Sequence, residues 1–267
     1  MTTMPQVGLV LTSCIQVGDP QFVQRNQTEV RLRDYQTTLR HWLTRQSCIT
    51  KIIFCDNSGY SLDSLKQIVK EINNPNIQIE FLSYHLTDYQ GKGFGWGEID
   101  IYDHIVKNSR LWLQLSHIGF CSGRRFVKNI QPIVAAISPQ ADIVTNFLFN
   151  LVWADGDLYF VRREVFADTM LPKYKALIDD SKKWYMERAL AKLALQIVLN
   201  SGYWYPLVQF PLYEGVAGKK NLPLNQRKEG WWLYNQLATG VSRLYWYVTK
   251  TAVKRAHRHW LDQVRSQ

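Results

Sequence analysis

The sequence has few cysteines, glycines and prolines and no long apolar run. Its four cysteines (Cys14, Cys48, Cys55 and Cys121) are widely spaced, with no Cys-x-x-Cys pair and no histidine at zinc-ligand spacing. This argues against a disulfide scaffold or a structural zinc site. Fifteen glycines and nine prolines among 267 residues are too few for a collagen-like or low-complexity chain. No uncharged stretch of about 18 apolar residues is present, so no membrane-spanning helix is predicted, and the N-terminus lacks the basic segment of a secretory signal.

The composition and the distribution of charge indicate a globular domain followed by a basic C-terminal tail. Hydrophobic residues make up 46% of the chain, enough for the core of one large α/β domain or two small ones. The net charge is +10, of which residues 219–267 hold +8, with ten Lys or Arg against Glu229 and Asp262. We therefore predict a nearly neutral main domain at residues 1–218 and a basic tail at 219–267.

The tail combines its charge with a helical pattern of aromatic and aliphatic residues. Its apolar positions recur at helical spacing, namely Tyr234, Leu237, Val241, Leu244, Tyr245 and Val248. A basic, aromatic amphipathic helix is typical of contact with an anionic membrane surface. Two other interpretations stay open: the stripe packs on the main domain, or the basic patch meets nucleic acid.

Apolar runs and helical patterns alternate along the main domain. Strands are predicted at 7–15, 51–55, 77–82, 117–121, 142–147, 157–161 and 207–212, and helices at 27–46, 62–72, 98–109, 126–137 and 182–200. This alternation predicts an α/β fold with a mostly parallel, Rossmann-type sheet covered by helices on both faces. Ligands of such sheets bind beyond the carboxyl ends of the strands.

Four alternating glycines occupy residues 91–97 (GKGFGWG), just before a predicted helix. Glycine lets the backbone approach an anion closely, and a helix N-terminus offers free N–H groups. The segment is neither a Walker loop nor a dinucleotide fingerprint. We interpret it as a phosphate-contacting loop, with a flexible surface loop as the alternative.

Polar residues follow two of the predicted strands. Asp56, after the second strand, is placed to accept hydrogen bonds from a base or ribose, unless it only initiates a turn. Arg124 and Arg125 follow the strand at 117–121. Arginine offers a fork of donors matched to phosphate oxygens, although the pair could equally be a solvated surface dipeptide.

Carboxylates concentrate in the second half of the main domain, at Asp155, Asp157, Asp179, Asp180 and Glu187. A base that deprotonates a sugar hydroxyl needs a carboxylate aimed into a cleft, and Asp180 or Glu187 could supply it. The alternative is that one residue among 179–181 caps the following helix and that the others are surface charges.

Several segments taken in order resemble a family of bacterial glycosyltransferases of the surface-polysaccharide or lipopolysaccharide type, whose catalytic domain is similar to the GT-A fold. The segments are FCDNSGYSL, GKGFGWGE, SGRRFVKNI, LVWADGDLYFVRREVF and DDSKKWYMERALAK, and the resemblance covers roughly residues 7–220. It implies a nucleotide-binding half at about 1–115 and an acceptor half at about 116–218. The basic tail matches only loosely.

The resemblance also implies roles for individual residues. The nucleoside of the donor would be held by Thr12, Ser13, Asp56 and Asn57, and its diphosphate would lie near Lys92, Gly93, Gly95 and Gly97. Arg125 is a further candidate for donor binding, although it stands where the family tends to have an aromatic residue. Most GT-A enzymes hold a divalent metal with an Asp-x-Asp motif after this point, where the present chain has Ser122, Gly123 and Arg124. A fixed Arg124 guanidinium would then neutralise the leaving diphosphate, and a requirement for Mn²⁺ or Mg²⁺ is left open.

On the acceptor side, Asp155 and Glu187 occupy places where the family has polar residues, and Glu214 and Gly215 resemble a late loop that closes over the donor. The prediction is a cytoplasmic glycosyltransferase at the inner face of the membrane. It would use a nucleotide-diphospho sugar and a growing surface glycan or lipid-linked glycan as acceptor. The alternatives are a non-catalytic module that binds nucleic acid or an anionic membrane, and a nucleotidyltransferase on similar topology.

Overall fold

A computed structural model describes residues 5–18, 24–87, 91, 93–148, 151–217, 222–224, 233 and 236–248. The strands are β1 (Val7–Ser13), β2 (Lys51–Asp56), β3 (Gln78–Ser83), β4 (His117–Ser122), β5 (Arg125–Val127), β6 (Ile143–Val144), β7 (Leu158–Arg162), β8 (Trp204–Tyr205), β9 (Tyr213–Ala217) and β10 (Leu222–Pro223). The helices are α1 (Thr28–Thr44), α2 (Asp63–Ile72), α3 (Phe94–Asn108), α4 (Ile130–Ala135), α5 (Leu171–Leu177) and α6 (Met186–Leu199). Residues 236–248 are also helical.

A seven-stranded sheet in the order β3-β2-β1-β4-β7-β6-β8 organises the fold. Strands β3, β2, β1 and β4 run parallel, whereas β7 is antiparallel to both β4 and β6. The predicted α/β class with a mostly parallel sheet is therefore confirmed. The carboxyl ends of β1, β2 and β4 meet at one edge, because Ser13 pairs with Asp56 and Thr12 pairs with Ser122.

The central strand β1 is buried along its whole length, which explains why it appears in the sequence as a continuous apolar run. Its residues alternate between two layers of core. Leu9 and Leu11 pack with the side chains of α1, α2 and α4. Val10 packs on the opposite face with those of α3, α5 and α6. The sheet is thus covered on both faces. Ligands of such sheets bind beyond the carboxyl ends of the strands, so we look for the site at that edge.

A smaller sheet, β10-β9-β5, joins the segment after β4 to residues 213–217 and 222–223. Strand β10 therefore lies beyond the boundary predicted at residue 218. Strand β5 pairs antiparallel with β9, with Arg125 opposite Gly215. The predicted closing loop at Glu214 and Gly215 is therefore a paired strand. No helix within the described residues is long and apolar enough to cross a membrane.

Several predicted elements were wrong in extent or type. The helix predicted at 182–200 begins at Met186, and the strand predicted at 142–147 spans only Ile143–Val144. Helix α3 begins at Phe94 rather than at 98, so Gly95 and Gly97 lie inside its first turns. The predicted helix 126–137 is a strand followed by the shorter α4. The predicted strand 207–212 is a loop whose Leu207 and Phe210 are buried, because the Asn129 side chain bonds Phe210 O at 3.0 Å and Leu212 N at 2.7 Å.

Candidate functional site

The loops after β1 and β2 are held together by the fully buried Asp56 carboxylate. Its Oδ2 accepts hydrogen bonds from Ser13 Oγ at 2.8 Å and Ile15 N at 2.9 Å. Its Oδ1 accepts from Ser58 N at 2.8 Å and Ser58 Oγ at 2.5 Å. All four bonds are made within the chain, so the observed role of Asp56 and Ser13 is to shape the floor of the site. Their contact with a nucleoside stays a prediction.

Replacement of Asp56 by asparagine is expected to destabilise the fold although the two side chains have the same shape. The amide NH₂ would face donors where an oxygen now accepts two bonds, and hydrogen bonds to a buried charge are the costly ones to lose. We expect the free energy of unfolding in urea to fall by ~2–4 kcal/mol. Asp63→Asn, at the exposed start of α2, is the matched control, and a loss equal to that control would contradict the interpretation.

Thr12 and Asn57 connect this floor to the neighbouring elements. Thr12 O accepts a hydrogen bond from Gly123 N at 2.8 Å, which joins the ends of β1 and β4. Asn57 Nδ2 donates to Gly97 O at 3.2 Å, which ties β2 to α3. Asn57 Oδ1 is buried, and no partner for it is found among the described residues. Asn57, which is predicted to hold a nucleoside, therefore has a buried amide oxygen that accepts no hydrogen bond from the described residues.

The glycines before and within α3 accommodate Asp180. Gly93 has φ +86°, and a Cβ there or on Gly95 would come within 2.7 or 3.1 Å of Asp180 atoms. The Gly95 N–H donates to Asp180 Oδ2 at 3.2 Å. The carboxylate thus occupies the first turn of α3, where the sequence predicts a phosphate. Lys92 lies outside the described residues.

Asp179 and Asp180 do not cap α6, whose N-cap residue is Tyr185. They belong to a separate turn in which Asp179 bonds Ser181 Oγ at 2.5 Å and Lys182 Nζ at 2.9 Å. The interpretation of this stretch as a helix cap was wrong, because residues 182–185 lie between Ser181 and Met186, the first residue of α6.

Arg124 lies just after the end of β4 with two donors that no described residue uses. Its guanidinium lies 5.9 Å from the centre of the Tyr35 ring, on the side of the sheet covered by α1. Its Nε and Nη1 are buried and have no hydrogen-bond partner in the described part of the chain. Burial lowers the pKa of this guanidinium. Because an unpaired buried cation is costly, its donors are suited to an anion that enters at this edge.

Arg125 points the other way, as expected for the next residue of an extended segment. Its Nη1 forms an ion pair with Asp157 Oδ1, and its guanidinium lies 5.8 Å from the centre of the Tyr213 ring. Burial lowers the pKa of Arg125, but Asp157, Cys121 and Tyr213 together raise it above its ordinary value. The structure therefore places Arg125 among carboxylates rather than beside Arg124, and its predicted donor contact stays a prediction.

Strand β9 fixes both arginines in place. Gly215 has φ +125°, and any Cβ there would collide with the carbonyl oxygen of Arg124, so only glycine permits this pairing. Trp42 Nε1 donates to Arg125 O at 2.9 Å. Glu214 accepts from Arg45 Nη1 at 3.0 Å, which pins β9 to the end of α1. The two guanidinium groups are thus held by a rigid backbone, as charge stabilisation requires.

Five partly exposed carboxylates gather around Arg125, and we call them the acidic cluster. Its members are Glu98, Asp155, Asp157, Asp180 and Glu187. The 155–157 loop lies against Glu187, whose Cγ would be 3.4 Å from a Cβ on Gly156. Glu187 O also accepts from Ala154 N at 3.0 Å. Arg125 is ion-paired with Asp157, and the carboxylates of the cluster together carry more negative charge than this one guanidinium offsets.

The pKa values of this cluster reflect burial and mutual repulsion. Burial, followed by the charge of Asp157, raises the pKa of Asp155 to about 7. Burial also raises the pKa of Glu187, with Asp157 and Asp180 adding to the effect. The pKa of Glu98 is raised by burial although Tyr102 Oη donates to it at 2.7 Å. A carboxylate with a pKa near 7 in a cleft is suited to general-base work.

Aromatic rings border the acidic cluster on the side of α6. Trp153 stacks on Tyr185 with ring centres 6.0 Å apart. The Arg188 guanidinium lies 5.0 Å from the centre of the Trp184 ring, and its Nε is buried without a partner among the described residues. Aromatic faces with adjacent donors form an amphipathic wall of the kind that accepts polar ligands with apolar faces.

The structure brings Asp155, Asp157, Asp180 and Glu187 together with Glu98 and leaves Asp179 in a separate turn; the catalytic roles of Asp155, Asp180 and Glu187 stay predictions. The sequence analysis assigned no role to Glu98. Its (i, i+4) spacing from Tyr102 on an apolar face of α3 was the signal that it lies towards the core. No group of three or more His, Cys, Asp or Glu arranged to hold a metal ion occurs in the described residues.

No family model and no curated protein matches the sequence. Among solved structures, a mannosyltransferase from Pyrobaculum calidifontis in complex with GDP-Man and Mn²⁺ is similar at 10% identity and TM-score 0.46, over 77% of this chain and 55% of that chain. A cytidylyltransferase from Leptospira borgpetersenii is similar at 12% identity and TM-score 0.41, over 82% and 81%.

A putative nucleotide-diphospho-sugar transferase from Desulfovibrio desulfuricans is similar at 10% identity and TM-score 0.44, over 76% of this chain and 80% of that chain. The structural neighbours are thus nucleotide-sugar transferases and cytidylyltransferases. At these identities the similarity concerns the fold alone.

Proposed function

We propose that the protein is a glycosyltransferase that uses a nucleotide-diphospho sugar. The observation that carries this proposal is the Arg124 guanidinium, held at the carboxyl edge of the sheet with two buried donors unpaired among the described residues. A diphosphate leaving group supplies the negative oxygens that these donors lack. Because charge builds on that group as the sugar departs, a fixed arginine stabilises the transition state more than the ground state.

The acidic cluster supplies the second half of the chemistry. In an inverting transfer, Asp155 takes the proton of the acceptor hydroxyl, and the oxygen attacks the anomeric carbon. The bond from that carbon to the diphosphate oxygen breaks, and the electron pair leaves with the diphosphate. The raised pKa of Asp155 fits this task, since a base is most effective when its pKa lies near the working pH. Glu187 is the neighbouring candidate for the same role.

The aromatic wall of Trp153 and Tyr185 beside the cluster supports an acceptor with apolar faces and hydroxyl groups, as a saccharide has. We propose a growing bacterial surface glycan as the acceptor, with the protein working in the cytoplasm at the inner face of the membrane. Residues 219–267 would supply the membrane contact.

The first test is a thermal-shift screen of the full chain against UDP, GDP, CDP, ADP and CMP, each with Mn²⁺ and with EDTA. A ligand that binds only the folded state raises the melting temperature by mass action. We expect one nucleoside diphosphate to raise it, and persistence of the shift in EDTA would assign diphosphate neutralisation to Arg124. No shift with any nucleotide would contradict the proposal. A shift confined to CTP or another triphosphate with Mg²⁺, added as a further arm, would favour a nucleotidyltransferase.

A further inference from the structure

The helical segment 236–248 presents an apolar stripe to solvent. Leu237, Leu244 and Val248 are 55%, 60% and 56% exposed, and Leu233 just before the segment is 54% exposed. The spacings of four, seven and eleven residues place these side chains on one side of a helix. Contiguous apolar side chains on a protein surface mark sites of interaction.

The other side of the same helix is packed on the main domain. Ala238, Thr239 and Ser242 are buried, and Ser242 Oγ donates to Phe147 O at 2.7 Å. Asn146 Nδ2 donates to Thr239 Oγ1 at 3.0 Å, and Trp246 lies 5.4 Å from Tyr205, centre to centre. Structural packing therefore accounts for one face of the helix, while the side chains of the stripe are more than half exposed.

The helix is anchored directly beside the acidic cluster. Phe147, which accepts the bond from Ser242, forms an isolated β-bridge with Ala154. Asn146 O accepts a hydrogen bond from Asp155 N at 2.8 Å. A surface that receives the stripe would consequently lie near the loop that carries the proposed base.

We propose that this stripe docks on an anionic lipid bilayer. Residues 219–267 carry +8 of charge, and the 19 residues after Val248 hold five Lys or Arg, one Asp and Trp260. Apolar side chains that enter the interface, together with cations beside anionic headgroups, are the two contributions that hold a peripheral helix. The docked helix would hold the acidic cluster close to the bilayer surface. The acceptor is therefore lipid-linked, an inference that rests on the proposed function.

The charge and the chemistry of the stripe favour a bilayer over two other occupants. A second copy of this chain would bring another +8 segment against the first, which like-charge repulsion opposes. Nucleic acid is held by cations on its phosphates, whereas the stripe itself consists of leucine and valine.

Vesicle co-sedimentation of the full chain tests the proposal. The wild type is expected to bind vesicles of equal parts phosphatidylcholine and phosphatidylglycerol, and to bind phosphatidylcholine alone much more weakly. Leu237→Asp with Leu244→Asp is expected to weaken binding about a hundredfold, because two apolar side chains lose their burial. The matched control is Leu113→Asp with Leu199→Asp, at residues 69% and 81% exposed on the main domain, and it is expected to bind as the wild type does.

Equal binding by the stripe variant and the wild type would overturn the proposal, as would no binding by the wild type. A dimer of the wild type that the stripe variant loses, without vesicle binding, would assign the stripe to a second copy instead. Binding to RNA or DNA without vesicle binding would overturn the proposal and assign the segment to nucleic acid. The nucleotide thermal shift is measured on the same variants. If it is absent while vesicle binding persists, the glycosyltransferase proposal fails and the docking surface stands.

Discussion

Replacement of Arg124 by methionine is expected to lower the rate of sugar transfer by ~10²–10³-fold while leaving the fold intact. Loss of one fixed donor to a developing anion costs about this much. The same change is expected to raise the free energy of unfolding of the unliganded protein by ~1–2 kcal/mol, because it replaces an unpaired buried cation by an apolar chain of similar length. Activity assays and urea unfolding measure the two effects separately.

Two further variants separate ligand binding from structure. Arg124→Lys keeps the charge but loses the planar fork, and we expect it to restore only part of the activity. Arg40→Met, at a surface arginine paired with Glu71, should change neither quantity appreciably. If Arg124→Met lost stability and kept full transfer, the guanidinium would be structural and its assigned role would be wrong.

Replacement of Asp155 by asparagine is expected to lower transfer by ~10²–10⁴-fold, the range for loss of a general base. In the wild type, kcat/KM should rise with pH through about 7, since the pKa of Asp155 is raised to about 7 and only the ionised form accepts a proton. The variant should lose this step in the pH profile. If Glu187→Gln rather than Asp155→Asn removes the step, the base is Glu187.

The stability of the Asp155 variant provides an independent check. Because the folded-state pKa of about 7 lies above the ordinary value of 3.8, the folded protein binds more protons than the unfolded chain between these limits. Its free energy of unfolding therefore falls as pH rises from about 4 to about 7. Asp155→Asn removes that penalty and should be more stable than the wild type above pH 7, by ~1–3 kcal/mol after allowance for its partial exposure.

Asp179→Asn is the control for this series. Ser181 and Lys182 hold the pKa of Asp179 at about 2, so it is ionised throughout the range and its replacement should leave the pH profile unchanged. A wild type whose stability is flat from pH 4 to 8 would contradict the repulsion inferred within the acidic cluster.

The strands and helices of the first half follow closely from the sequence. Strand β2 and helix α1 were predicted within two residues at each end, because buried parallel strands need continuous apolar runs and covering helices need a periodic face. The loop at 207–212 was mistaken for a strand for the same reason. Leu207 and Phe210 are as buried as strand residues, and burial alone does not distinguish the two.

The α/β class could be predicted from the sequence, and with it the edge of the sheet at which we place the candidate site. The contacts of each residue there are seen only in the folded protein. In the folded protein, Asp56 accepts hydrogen bonds from Ser13 and Ser58. Arg124 and Arg125 lie on opposite sides of one backbone, and Glu98 lies near Asp157. The physical reason is that contacts such as those of Ser13 with Asp56 and of Glu98 with Asp157 join residues more than 40 positions apart in the chain. Their geometry is set by how the two faces of the sheet are packed.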